Sequence, residues 1–228
     1  MRNPSWIALL RFPWLVHGFL DRTLEEFAEP IPEEKLTPRQ IAALRTHGIS
    51  RGALALAEQV HGAETVEMMR GGGPPAPGAD GLMTQTAGIA LGIHVADCCA
   101  VYLADPGCRA IGLLHSGRKG TMAEMPGKGV RAMVRAFGSE PGEMVAALSP
   151  CIHICCYGTD FVADIERQLK KEGVREIWRH PDCTACSPER YDSYRRDRGR
   201  TGRMLAFMMI RQEKDGAFGS HIRSDAAA

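Results

Sequence analysis

Asp97 and Cys98 stand just after one apolar run, Ile89–Val95, and His115 directly follows another, Ile111–Leu114. His61, in Gln59-Val60-His61-Gly62, closes a third apolar stretch that begins at Ala53. Two imidazoles and one thiolate are a donor set suited to catalytic zinc, because three protein ligands leave a fourth position for water or substrate. Cys98 and His115 alone would instead make a nucleophile and its base. The three positions lie 37 and 17 residues apart and form no local motif. An ordinary hydrogen-bonded histidine and a small buried cysteine are the plainer readings of the same residues.

Cys151, Cys155, Cys156, Cys183 and Cys186 form a second group. Cys183-x-x-Cys186 has zinc or redox spacing. Cys151-x-x-x-Cys155-Cys156 is irregular for a zinc knuckle, so buried free thiols are the preferred reading there. Arg118-Lys119 sits between Gly117 and Gly120, and Arg195-Arg196 sits in Tyr194-Arg195-Arg196-Asp197. Either pair could donate to a phosphate, and for each a solvated or internally paired charge patch is the alternative.

The elements that must position these residues are read from apolar runs and their punctuation. Ile89–Val95, Ile111–Leu114, Glu64–Met68, Met144–Leu148, Val174–Trp178 and Met204–Ile210 read as strands, with Trp6–Phe12 as a first strand turned at Pro13. Thr37-Pro38-Arg39-Gln40 is a helix start, with Thr as cap, Pro in the first turn and Gln three residues on; that helix runs to about His47 and stops at Gly48. Lys128–Phe137 is helical, with Pro126-Gly127 delaying or kinking its start, and Phe161–Lys171 is a second apolar-faced helix ending at Gly173. Leu20–Glu34, with Pro30 and Pro32, and Gly71–Gly78 read as loops, and Ser116–Thr121 as a basic turn. Gly71–Gly78 lacks the Lys-Ser/Thr of a phosphate-binding loop. The mixed order of elements points to an α+β fold rather than a regular doubly wound sheet.

The chain has 228 residues, a formal charge of +1 and no apolar segment of membrane-spanning length. A basic groove for nucleic acid and a membrane surface are therefore not expected as partners. The opening residues carry too short an apolar run, broken by Arg11 and Pro13, to read as a signal peptide. A cytoplasmic protein with its eight cysteines reduced is expected, built as one compact domain over residues 1–228 with a core of about 5–211 and a tail of 212–228.

Several segments occur together in the order seen in one family: Gln59-Val60-His61-Gly62, Ala79-Asp80-Gly81-Leu82, Ala96-Asp97-Cys98, His115-Ser116-Gly117-Arg118-Lys119-Gly120, Cys155-Cys156-Tyr157, Cys183-Thr184 and Ser193-Tyr194-Arg195-Arg196-Asp197. The chain resembles the laccase-domain, or polyphenol oxidoreductase, family, also described as peptidoglycan editing factors and zinc-dependent purine nucleoside phosphorylases. The resemblance implies a four-layer α/β/β/α sandwich and one zinc ion held at His61, Cys98 and His115, which would also be the catalytic residues. It further implies phosphorolysis of purine nucleosides, with deamination of adenosine as a possible second activity; nucleoside and phosphate would be the partners, and Arg118, Lys119, Arg195 and Arg196 the substrate-binding residues. Arg118 and Lys119 stand where the family carries Trp and Arg, and Leu20–Ile49 lacks the family's Ser-Leu-Asn-Leu-Gly stretch. Three rivals remain: a copper-binding polyphenol oxidase, a Cys98–His115 cysteine hydrolase and a non-catalytic zinc-binding domain. Coupled copper centres of the blue-oxidase type need His-x-His pairs, and the eight histidines here form none.

Overall fold

The computed structural model describes residues 8–24 and 36–212. Among the described residues ten strands form two mixed sheets. The first sheet runs in the order β1 (Leu15–Leu20), β10 (Met204–Ile210), β5 (Ala90–Val95), β2 (Leu54–Leu56). The second runs β3 (Thr65–Glu67), β4 (Gly81–Thr84), β7 (Ala110–Ser116), β6 (Cys99–Asp105), β8 (Val145–Leu148), β9 (Glu176–Arg179). Parallel pairs occur only at edges, β2 on β5, β3 on β4 and β8 on β9; the other pairs are antiparallel.

Strand periodicity decides which side chain faces which layer. Leu91, Ile93 and Val95 of β5 meet Ala100, Tyr102 and Ala104 of β6 in one apolar cluster between the sheets. The alternate residues of β6, Val101 and Leu103, turn the other way onto Val130 and Met133 of helix α3 (Met125–Phe137; α2 is Arg118–Met122) and Ile165 of helix α5 (Phe161–Lys171). The outer face of the first sheet, with Leu205 and Phe207, packs on Leu44 of helix α1 (Pro38–Thr46). The expected mixed α/β domain with two sheets and helices is what the structure shows.

Local chemistry explains the helices. Thr37 Oγ1 accepts from Gln40 N at 3.0 Å and Gln40 Oε1 accepts from Thr37 N at 3.0 Å, a reciprocal capping box. Gly48 beyond the helix has φ 76°, where a side chain would be strained. Asp160 caps α5 by accepting from Ala163 N.

Several expectations need correction. Residues 8–10 are helical, and the first strand is Leu15–Leu20, whose alternation pairs it with β10 from Leu15↔Ile210 to Leu20↔Leu205. Ser116–Thr121 is no simple turn, since Arg118–Met122 is helical. Pro126 does not delay α3, which starts at Met125; Pro fits the first turn, where no N–H partner is needed. Cys99–Asp105, to which the sequence reading gave no strand, is the inner strand β6, buried at every residue. Its Ala-rich, two-sided burial carries no polar alternation to mark it. Within the expected Leu20–Glu34 loop, Arg22–Leu24 is a 3-10 turn, and residues 25–35 lie outside the described part, as do most of the expected tail and residues 6 and 7 of the expected first strand. Among the described residues no helix is long and apolar enough to cross a membrane.

Candidate functional site

The register of one sheet assembles the site. Strands β6 and β7 pair antiparallel with Ala100↔His115 and Cys99↔Ser116, so Cys98, one residue before β6, must lie beside the end of β7. Strands β4 and β7 pair with Gly81↔Leu114, which sets Asp80 opposite His115; the His115 N–H donates to Asp80 O at 2.7 Å. His61 comes from the loop between β2 and β3, which Asp80 ties down. The Asp80 carboxylate accepts from the backbone N–H of His61 at 3.0 Å and of Gly62 at 2.6 Å. His61 itself has φ 61°, a costly left-handed conformation held by these bonds.

Side chains from 61, 98 and 115 converge. Their donor atoms all lie within 4.8 Å of one another, and the two imidazole rings meet edge-on with centroids 4.9 Å apart. The third bond of the Asp80 carboxylate is to His115 Nδ1, at 2.8 Å, which leaves Nε2 as the ring nitrogen turned to Cys98. Space for the sulfur exists because residue 117 is glycine: a Cβ there would sit 2.3 Å from Cys98 Sγ.

Charge follows from this packing. Burial raises the Cys98 thiol pKa, but the imidazoles of His115 and His61 outweigh it and bring it to about 6. Burial lowers His115, yet Cys98 and Asp80 together lift it to about 10. Burial also raises Asp80, and the bonds from His115 and the backbone N–H groups hold it below the usual carboxylate range. A thiolate among imidazoles, with a carboxylate fixing the far ring nitrogen, is what a divalent metal with bonds of about 2.0–2.3 Å requires. The residues fit zinc.

Asp97 works as a latch. Its Oδ1 accepts from Thr184 Oγ1 at 2.6 Å, its Oδ2 from Arg195 N at 2.7 Å, and its carbonyl from Ile152 N at 2.9 Å. Three separate segments are thereby tied to the residue next to Cys98, and Asp97 accepts φ 85° to do it.

A cavity of about 610 Å³ opens over the three donors. Arg118, Lys119 and Arg195 line it as the sequence suggested, and all three are exposed to it with no ion pair among the described residues. Arg196 is not on its wall. That guanidinium is spent internally, on Asp197, Thr184 O and Tyr191 O. Arg198, Arg203 and the rings of Tyr157, Phe161 and Tyr194 also line the cavity, though the sequence assigns none of them a site role. Phe161 had looked like an ordinary helix-face residue, and nothing in the pattern marks Arg198. Asp80 and Asp97 stand in the sequence as motif carboxylates without an assigned role, since their roles depend on register.

The fold and this site define a mixed α/β protein with a His₂Cys cluster that could hold a metal ion beneath a basic cavity. The profile of the family described as multi-copper polyphenol oxidoreductase laccase matches residues 33–163 and 157–211, and the chain belongs to that family. It is 32% identical over 196 residues to the purine nucleoside phosphorylase YlmD of Geobacillus stearothermophilus, covering 68% of this chain and 72% of the relative. A purine nucleoside phosphorylase of Streptomyces coelicolor is 31% identical over 231 aligned residues, covering 85% and 94%. The crystal structure of the G. stearothermophilus YlmD superposes with a TM-score of 0.83 at 26% identity, over 92% of this chain and 97% of that one. A Bacillus licheniformis protein, YfiH, shares the fold at a TM-score of 0.79 and 22% identity, over 86% and 93%.

Proposed function

We propose that the chain is a zinc-dependent purine nucleoside phosphorylase with His61, Cys98 and His115 as metal ligands. The observation that carries this reading is the convergence of a three-donor set and the cations Arg118, Lys119 and Arg195, which have no ion pair among the described residues, on one cavity of about 610 Å³. That volume suits a nucleoside and an inorganic anion together.

In phosphorolysis a phosphate oxygen bonds to C1′ as the C1′–N9 bond breaks; its electron pair leaves with the purine, which takes up a proton. Arg118, Lys119 and Arg195 bind the phosphate and fix the attacking oxygen. Arg195 keeps its place because its backbone is bonded to Asp97 and its guanidinium lies 5.7 Å from the Tyr157 ring centroid. Tyr157 and Tyr194 offer planar faces to the purine. Asp80 holds a proton on His115 Nδ1, keeping Nε2 for the metal. Zinc, when bound, would supply Lewis-acid polarisation of the substrate. The cations favour phosphorolysis over deamination, which has no need of an anion site. The cysteine and histidine arrangement, with only two histidines in the donor set, gives no support to coupled copper chemistry.

The test is an assay of adenosine and inosine with and without phosphate, separating the products. Free base and ribose 1-phosphate formed only with phosphate support the proposal. Inosine formed from adenosine without phosphate would instead mark a deaminase, and metal bound with no turnover a non-catalytic domain.

One observation favours a second reading. Cys98 with its lowered pKa, His115 and Asp80 are arranged as nucleophile, base and orienting carboxylate. A cysteine hydrolase of that kind would survive chelation and fall to iodoacetamide in the metal-free state, the opposite of the zinc enzyme.

A further inference from the structure

All eight cysteines are free, and four of them, Cys155, Cys156, Cys183 and Cys186, form a second cluster away from the His₂Cys donors. Buried apolar packing does not account for it: Cys155 and Cys186 are exposed and Cys156 is only half-buried. The sulfur separations are 3.4 Å for Cys156–Cys186, 3.6 Å for Cys155–Cys186 and 3.8 Å for Cys155–Cys156, and all four sulfurs lie within 4.8 Å of one another. A tetrahedral ion with bonds of about 2.3 Å to sulfur has edges of about 3.8 Å. A disulfide needs about 2.05 Å and would leave two thiols over. An iron–sulfur cluster distributes its thiolates over several iron atoms and needs them farther apart.

The backbone is arranged for charged sulfur. His153 N donates to Cys183 Sγ at 3.3 Å. An N–H donor directed at a sulfur stabilises its thiolate, the form in which cysteine binds metal. The irregular spacing in sequence is resolved by the fold. Cys155 and Cys156 lie on the short helix α4 (Ile154–Tyr157), and the bridge Cys151↔Cys183 brings the Cys183–Cys186 loop alongside it.

We propose that Cys155, Cys156, Cys183 and Cys186 bind a second, structural zinc ion. Four sulfur ligands close the coordination sphere, so this ion has no open position for substrate. Its place gives it a purpose. Tyr157, next to Cys156, lines the cavity, and Thr184, next to Cys183, is the residue that holds Asp97 beside Cys98. The ion fastens the segment that carries Tyr157 to the one that carries Thr184.

The experiment is elemental analysis of full-length protein purified without added metal, in the wild type and two variants. Two zinc ions per chain are expected in the wild type. Cys98→Ala should retain one, and Cys186→Ser in the Cys98→Ala background should retain none. Because Cys186→Ser could fail to fold, cobalt loading of Cys98→Ala provides a second reading: intense sulfur-to-cobalt charge-transfer absorption and tetrahedral d–d bands at one ion per chain. A wild type with one zinc that is lost completely in Cys98→Ala would overturn the proposal. So would iron in place of zinc, or a disulfide among these four residues found by mass spectrometry of the freshly purified chain.

Discussion

Asp80 Oδ1 lies 2.8 Å from His115 Nδ1, and the same carboxylate accepts the backbone N–H groups of His61 and Gly62. One buried side chain thus orients two of the three donors, one through its ring and the other through its loop. Asp80→Asn keeps the size but loses the charge and turns one acceptor into a donor. Zinc affinity at the His₂Cys cluster is expected to fall about 10- to 100-fold. Competition against a chromophoric chelator measures it, and unchanged affinity would show that Asp80 does not act through the metal.

Gly117 makes a sharper steric prediction. A methyl group there collides with Cys98 Sγ, the backbone being fixed between the end of β7 and α2. Gly117→Ala should displace the sulfur and abolish zinc binding at this cluster while the far-ultraviolet circular dichroism stays that of the wild type. Full zinc occupancy in the variant would mean that the sulfur has room the structure does not show.

Arg195 and Arg196 are neighbours in sequence with opposite jobs. Arg195→Ala should raise the KM for phosphate about 10- to 100-fold, the scale of one charge-assisted hydrogen bond, and leave the KM for nucleoside much less affected. Arg196→Ala removes the partner of Asp197 and of the carbonyls of Thr184 and Tyr191, and should cost about 2–3 kcal/mol of stability. Steady-state kinetics and urea unfolding separate the two; equal effects of both variants on phosphate KM would contradict the assignment.

Acid should destabilise the fold through a buried histidine. Burial lowers His180 to about 4, Asp182 opposing and Arg190 and His153 reinforcing the shift. The ring accepts from Asp182 N at Nδ1, 3.1 Å, which requires the neutral form. The unfolded chain therefore binds the proton first, so the contribution is complete above about pH 6.5 and is lost as pH falls towards 4, on the order of 3 kcal/mol. His180→Asn retains an acceptor and cannot titrate. The dependence of Tm on pH between 6.5 and 4 should be shallower in the variant, and identical slopes would rule His180 out as a source.

The sequence made the capped helix at Thr37, the runs that became β5 and β7, and the donor trio readable because each is a local pattern: a cap, an apolar run, a polar residue at its end. It did not reveal β6, whose alternate residues are both buried, nor the work of Asp80 and Asp97, which follows from strand register and from segments up to 98 residues apart. The exposure of Cys155 and Cys186, against the buried thiols expected, escapes the sequence for the same reason. Cys155 and Cys186 come together only through the pairing of Cys151 with Cys183.

The most direct measurement is the phosphorolysis rate and zinc content of His61→Ala. His61 is a metal donor in the zinc reading, whereas in a Cys98–His115 hydrolase it is neither nucleophile nor base. The account predicts loss of one zinc ion per chain and a fall in kcat/KM of about 10³-fold or more, the scale expected when a catalytic metal is lost. Near-wild-type phosphorolysis with that zinc absent would contradict it.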